Sequence, residues 1–365
     1  MALNAVCPYF TMFPLEFPLS VLGRQKKKSG MRVLDPFCGR GTTIFAARLE
    51  GHEAYGIDSS PIAIAIARAK LAHTSELDVL ELAEAILEEG GAVDVPEGAF
   101  WRWAYAPATL REVCILREGL LALRSSAADV LRAICLGALH GPLTKSVDTR
   151  SYFSNQMPRT FAAKPDYSVR YWEANGFRPV AVDVLAIIER RLERLQLETL
   201  PECAGSSKVS IADARLARGY YGLPEEIDLV ITSPPYYGMR TYVADQWLRN
   251  WFLGGSPTVP YGEKNPLSHQ SPDAFAESLA QVWDRVGDRL AAQGRMFVRF
   301  GAIPSRQRDP RPIMLASLEH SRFSWRVCNV RPAKSASSGK RQAGHMGGRV
   351  TSAPVQEHDY EVALC

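Results

Sequence analysis

Met31 to Pro36 is a short apolar run that leads into Asp35-Pro36-Phe37-Cys38-Gly39-Arg40-Gly41-Thr42-Thr43, after which Thr42 to Leu49 reads as a helix. A strand that passes through a glycine-bearing turn into a helix needs a second strand beside it, and Glu53 to Asp58 repeats the pattern. Pro61, whose fixed φ suits a first helical turn, then opens an alanine-rich helix through Ala72. This β-α-β-α order predicts a parallel sheet, because parallel strands are joined by crossovers that lay helices on the sheet faces.

The same grammar returns late in the chain. Lys208 to Ile211, Ile227 to Thr232, Arg295 to Phe300, Ser324 to Cys328 and Tyr360 to Leu364 read as strands, with a helix from about Pro272 to Ala292 among them. Between the halves, Leu77 to Glu89, Pro107 to Arg124, Ala127 to Leu139 and Val180 to Leu197 carry helical periodicity and no strand pattern. The expected organisation is an α/β catalytic domain made of residues 1–73 and 207–365, interrupted by a mainly helical insertion over residues 74–206. Inside the insertion, Leu143 to Trp172 is poorly periodic and mixes basic with aromatic residues. Arg331 to Thr351 is a second basic stretch and is expected to be a mobile loop.

The chain has 365 residues, 46% hydrophobic and 22% charged, with a net charge of +4. No run approaches the roughly 18 uncharged apolar residues of a membrane helix, and the apolar start is broken by Pro8, Pro14, Glu16 and Pro18, so a cytoplasmic protein without membrane contact is expected. The seven cysteines stand singly, in no zinc-like spacing, so no metal is expected. A small positive charge is compatible with a polyanionic partner and equally with solubility.

Chemistry enters with the glycine turn. Glycines let backbone amides approach a ligand, and the amino terminus of the next helix faces it. Asp58, at the end of the following strand, can accept both hydroxyls of a ribose. Taken singly, these residues also suit an ordinary tight turn and a strand-end aspartate. Asp-Pro-Phe-Cys-Gly-Arg-Gly-Thr-Thr, however, resembles the S-adenosylmethionine loop of the amino-type DNA methyltransferases, which methylate cytosine N4 or adenine N6. Gly56-Ile57-Asp58-Ser59-Ser60 is similar to that family's ribose-binding strand end, and Tyr9-Phe10-Thr11-Met12-Phe13-Pro14 resembles the aromatic segment before its loop. The resemblance implies a Rossmann-like α/β methyltransferase sheet with S-adenosylmethionine as cofactor. It implies a site of Phe13, Asp35, Pro36, Phe37, Cys38, Gly39, Gly41, Thr42, Thr43, Asp58 and Ser59, with Asp213 receiving the adenine amino group.

Ile227 to Thr232 runs directly into Ser233-Pro234-Pro235-Tyr236-Tyr237. Prolines lock the backbone and lack amide hydrogens, so nearby carbonyls can be aimed at a ligand. An aromatic amine is a poor nucleophile, because its lone pair is delocalised into the ring. Two acceptors on its hydrogens return density to nitrogen, and Ser233 and the Pro234 carbonyl are candidates, with Tyr236 stacking on a flipped base. The resemblance makes Ser233, Pro234, Pro235 and Tyr236 the catalytic segment. Its serine form is more typical of cytosine-N4 enzymes, with adenine N6 second. A C5-cytosine enzyme would need a cysteine nucleophile, normally in a Pro-Cys dipeptide, and the chain has none.

DNA is the implied partner, with any restriction or defence partner unspecified. Lys145, Arg150, Arg159 and Arg240 are the candidate phosphate contacts, the first three in a stretch interleaved with Tyr152, Phe153, Tyr167, Tyr171 and Trp172. A solvated loop over core aromatics is the competing reading of that stretch. An RNA or tRNA guanine methyltransferase and a non-catalytic nucleic-acid-binding module also remain open.

Overall fold

The computed structural model describes residues 2–8, 14–25, 30–143, 150–157, 164–238, 243–259, 267, 269–302, 309–333 and 357–365. Its chain forms two compact units. A sheet unit takes Tyr9–Ala67, Pro201–Arg240 and Lys264–Cys365, and a helical unit takes Met1–Pro8, Arg68–Leu200 and Thr241–Glu263. The helical unit thus includes three stretches, residues 1–8, 68–73 and 241–263, that the sequence assigns to the catalytic domain.

The sheet unit is built on seven strands: β1 (Arg32–Asp35), β2 (Glu53–Asp58), β3 (Lys208–Ile211), β4 (Ile227–Thr232), β5 (Leu290–Gly301), β6 (Trp325–Pro332) and β7 (Glu357–Leu364). Their order is β3-β2-β1-β4-β5-β7-β6. The first five lie parallel, whereas β7 runs antiparallel between β5 and β6. This is the Rossmann-like methyltransferase sheet that the sequence implies. β1 and β4 are central, with Val33, Leu34, Leu229, Val230 and Ile231 buried, which is why consecutive rather than alternating residues are apolar at the middle of each.

On the sheet pack Phe275, Leu279, Val282, Trp283 and Val286 of the helix Pro272–Gly287. Their spacing of three and four residues puts them on one helical face. Ser271 caps that helix, its hydroxyl accepting the Ala274 amide at 3.0 Å, and Pro272 occupies the first turn. The sequence carries this helix on to Ala292, but it ends at Gly287 because Leu290 is taken into β5 opposite Ile227. A β-carbon at Gly287 would lie 2.5 Å from the Phe323 ring, so the glycine is kept by close packing.

The helical unit holds Glu76–Glu89, Pro107–Ala122, Ser126–Ala138 and Val184–Leu192, close to their expected positions. It adds Ala99–Ala104, Pro165–Asn175 and Val243–Phe252. Phe100, Trp101, Trp172, Trp247 and Trp251 form a buried aromatic cluster, with Trp101 and Trp251 centroids 4.5 Å apart. Trp172 is wholly buried and donates its indole N–H to the Gln156 carbonyl at 2.5 Å, and Phe153 is also buried. These two aromatics therefore belong to the core and not to a base-stacking surface. No helix among the described residues is long and apolar enough to cross a membrane.

Candidate active site

β1 and β4 pair in parallel, Val33 opposite Leu229 and Leu34 opposite Val230, so their carboxyl ends emerge together. The glycine loop leaves the first and Ser233 to Tyr236 leave the second. The two are tied directly: the Thr232 hydroxyl donates to Asp35 Oδ1 at 2.6 Å, and the Phe37 amide donates to the same oxygen at 3.1 Å. Thr43, at the start of the helix Thr42–Leu49, donates its hydroxyl proton to the Ile231 carbonyl at 3.2 Å. Asp35 is fully buried, and burial lifts its pKa to about 6 against the opposing pull of the Thr232 and Thr43 hydroxyls and the Phe37 amide. Its Oδ2 meets no donor of hydrogen-bond geometry among the described residues.

Loop shape comes from a 2.7 Å bond between the Gly41 amide and the Cys38 carbonyl, and from two glycines in the left-handed region, φ 49° at Gly39 and 77° at Gly41. Their surroundings differ. A β-carbon at Gly41 would sit 2.9 Å from Ala67 Cβ, so this residue lets the loop lie against the helix Pro61–Ala69. A β-carbon at Gly39 would meet nothing within 4 Å, which leaves open space where a ligand can reach the backbone. Pro36, Cys38, Thr42 and Thr43 are buried beneath the loop, Phe37 is half-buried and Ser59 is exposed.

Asp58 holds the loop from the neighbouring strand. Its Oδ2 accepts the Gly39 amide at 3.0 Å and its Oδ1 accepts the Ser60 amide at 2.8 Å, while burial raises its pKa. An ionised carboxylate has about four lone-pair sites, so two remain for hydroxyl donors. Asp213 is spent differently. Arg215 grips both carboxylate oxygens, its Nη2 lying 2.6 Å from Oδ2 and its Nε 3.0 Å from Oδ1. Burial raises the Asp213 pKa, but the Arg215 hydrogen bonds and charge outweigh it and hold it below the ordinary value. An adenine amino group arriving there would have to share the carboxylate with the guanidinium.

In the segment after β4, Pro234 is buried and Ser233, Pro235 and Tyr236 are half-buried. The Tyr236 hydroxyl donates to Glu357 Oε1 at 3.0 Å, and its ring meets Phe300 edge-on, centroids 5.8 Å apart at 83°. Burial, then the adjacent Glu357, drive the phenol pKa well above its usual value, so it remains a donor. Beside it Arg299 forms a two-pronged pair with Asp359 at 2.7 and 2.8 Å and covers the Phe17 ring at 4.1 Å. His269 Nδ1 accepts the Gly238 amide at 3.0 Å, and its ring stacks on Phe275 at 5.2 Å, anchoring the backbone just past the tyrosines. Glu357, Arg299 and His269 had no signal in the sequence, where His269 is assigned no role.

Phe13, Lys145, Arg159 and Arg240 lie outside the described residues. Arg150 is half-buried in the helical unit, its carbonyl accepting Arg190 Nη2 at 2.7 Å. Among the described residues no group of three or more His, Cys, Asp or Glu side chains could hold a metal ion.

Residues 27–93, which span β1, the glycine loop, β2 and Asp58, match the family model of a methyltransferase domain. The protein is a methyltransferase of the S-adenosylmethionine-dependent class, and S-adenosylmethionine is its cofactor. Among solved structures it is similar to the rRNA methyltransferase aviRa from Streptomyces viridochromogenes, at 14% identity and TM-score 0.35, covering 100% of this chain and 89% of that one. It is similar to TrmN from Thermus thermophilus, at 12% identity and TM-score 0.32, covering 96% of this chain and 48% of the other. A TehB-like methyltransferase from Corynebacterium glutamicum gives 8% identity and TM-score 0.33, covering 95% and 88%. No curated protein matches the chain.

Proposed function

We propose that this methyltransferase acts on DNA, transferring a methyl group to the exocyclic N4 of a cytosine swung out of the duplex, with adenine N6 as the alternative acceptor. The observation that carries the reading is the Thr232–Asp35 hydrogen bond at 2.6 Å, which fixes the Ser233-Pro234-Pro235-Tyr236 segment beside the cofactor loop at the ends of adjacent strands. The loop fits S-adenosylmethionine: Gly39 fronts open space, and Asp58 keeps acceptor capacity for ribose hydroxyls after binding two amides. When bound, the cofactor supplies a methyl group on a positively charged sulfur.

The chain's own contribution is placement. Ser233 and the Pro234 carbonyl accept the amine hydrogens and return lone-pair density to nitrogen, Pro234 and Pro235 hold those acceptors still, and Tyr236 walls the base. Its ring is set by Phe300 on one side and its hydroxyl by Glu357. In-line transfer between aligned groups draws its rate mainly from such positioning, with no covalent enzyme intermediate. We assign residues 1–73 and 207–365 to this chemistry and the helical insertion of residues 74–206 to reading DNA.

Long-read sequencing of DNA from cells expressing the protein, with Ser233→Ala as control, tests the reading. N4-methylcytosine in a fixed sequence context, absent from the control, is expected. N6-methyladenine would move the assignment to the alternative base. Tritium transferred from the cofactor to tRNA and not to duplex DNA would refute a DNA substrate.

A further inference from the structure

The helical unit contains a cavity of about 200 Å³ whose walls include Arg150, Phe153, Ser154, Phe177, Arg178 and Val180. None of its lining residues belongs to the methylation site, whose described residues are all in the sheet unit. Its size falls below the roughly 300–1,000 Å³ of pockets that enclose drug-sized ligands, so it suits a single ring system. Phe177, half-buried, gives it an aromatic wall, Phe153 is buried in the core at its edge, two arginines line it, and none of the described lining residues is Asp or Glu.

The polar groups point to a ligand with hydrogen-bonding edges and a negative charge. Ser154 is 2% exposed and its hydroxyl has no hydrogen-bond partner among the described residues, a costly state for a buried polar group unless a ligand completes it. The Arg178 guanidinium lies 4.1 Å over the Trp103 ring. Stacking occupies the face of that group and leaves its edge for a planar or bidentate partner such as phosphate. The wall is also fixed in place: the Gly141 amide donates to the Ser154 carbonyl at 2.9 Å and the Phe153 amide to Ala138 at 2.8 Å, pinning this segment to the end of the helix Ser126–Ala138.

We infer that this cavity is a second nucleotide site, taking one unpaired base of the DNA strand other than the base to be methylated, with the neighbouring phosphate on Arg150 and Arg178. The inference rests on the reading of the protein as a DNA methyltransferase. An aromatic and arginine-lined recess is the combination by which proteins hold unpaired bases with little sequence preference, through stacking and backbone charge.

The test uses the full chain, Val180→Glu at the cavity rim, and the double variant Arg150→Ala with Arg178→Ala. Val180 is 54% exposed, so the first variant keeps the fold even if the second does not. Fluorescence anisotropy is read with one labelled sequence as single-stranded DNA, duplex DNA and RNA, and cofactor affinity is read by calorimetry. Both variants should bind single-stranded DNA about tenfold more weakly, and the double variant should flatten the salt dependence by about one to two units of slope. Cofactor affinity and melting temperature of Val180→Glu should match the unaltered protein. Unchanged DNA affinity in Val180→Glu, or a loss confined to RNA, would overturn the site. If the unaltered protein methylates DNA while the variants bind it normally, only the cavity inference fails. If the unaltered protein transfers no methyl group to any DNA, the functional reading fails and the site falls with it.

Discussion

Replacing Asp35 by asparagine separates the charge of this buried carboxyl from its hydrogen bonds. Asparagine keeps an oxygen for the Phe37 amide and the Thr232 hydroxyl, and it cannot ionise. Burial raises the Asp35 pKa from its ordinary 3.8 to about 6. At 1.36 kcal/mol per pH unit, the ionised carboxylate costs the folded state about 3 kcal/mol above pH 7. The sign follows from the raised value: the folded protein holds this proton more tightly than the unfolded chain, so the favourable contribution is complete below about pH 4 and is lost as pH rises through 6. Between pH 4.5 and 7.5 about 2 kcal/mol of the difference is expressed. The asparagine NH₂ lands where Oδ2 has no donor, and the mismatch costs about 1–3 kcal/mol at every pH, so the absolute change has no fixed sign. The pH dependence does. Urea unfolding of both proteins across that range should show Asp35→Asn gaining about 2 kcal/mol on the parent as pH rises. Parallel stability curves would refute the account of Asp35 as a desolvated, poorly solvated link between the two strands.

Asp58→Ala should weaken S-adenosylmethionine binding in calorimetry by about 1.5–3 kcal/mol per lost hydroxyl contact, and it should also loosen the loop, because the Gly39 and Ser60 amides lose their acceptor. Wild-type affinity would remove Asp58 from the cofactor site. Gly41→Ala sets a methyl group 2.9 Å from Ala67 Cβ at a φ of 77°, and by thermal melting it should cost about 1–3 kcal/mol, more than Gly39→Ala, whose added methyl meets open space. Tyr236→Phe keeps the ring but leaves Glu357 without its phenol donor, so single-turnover methyl transfer should slow by roughly tenfold, and adding Glu357→Gln should recover part of it. Equal rates for Tyr236 and Phe would show that the hydroxyl contact does nothing for the reaction.

The central strands and the glycine loop are legible in the sequence because β1 and β4 each carry consecutive buried apolar residues and the loop sits at a strand-to-helix junction. Four helices of the insertion were readable from periodicity. Pro165–Asn175 was not, since its Tyr, Trp and Glu residues give no clean apolar stripe and only Ser168 and Trp172 are buried. Trp172 and Phe153 misled for a related reason: basic neighbours made a buried aromatic look like a nucleic-acid contact. Thr232 and Glu357 show a different limit. Thr232 meets Asp35 only because β4 settles next to β1, and Glu357 meets Tyr236 only because β7 inserts beside β5. Strand order is a property of the whole chain, and no local pattern announces it.

That order also dictates when the site can come into being. Val33 of β1 waits for Leu229 of β4, about 200 residues further along, and at the usual 5–20 residues per second of synthesis the wait is roughly 10–40 seconds. Throughout that interval one edge of the strand that carries Val33 and Leu34 stands unpaired, ready to join any other strand it meets. A nascent chain of this design is therefore most exposed to misassembly while the helical insertion is being made, and its yield in cells should follow translation speed across residues 74–206 and the supply of chaperones more closely than the stability of the finished fold.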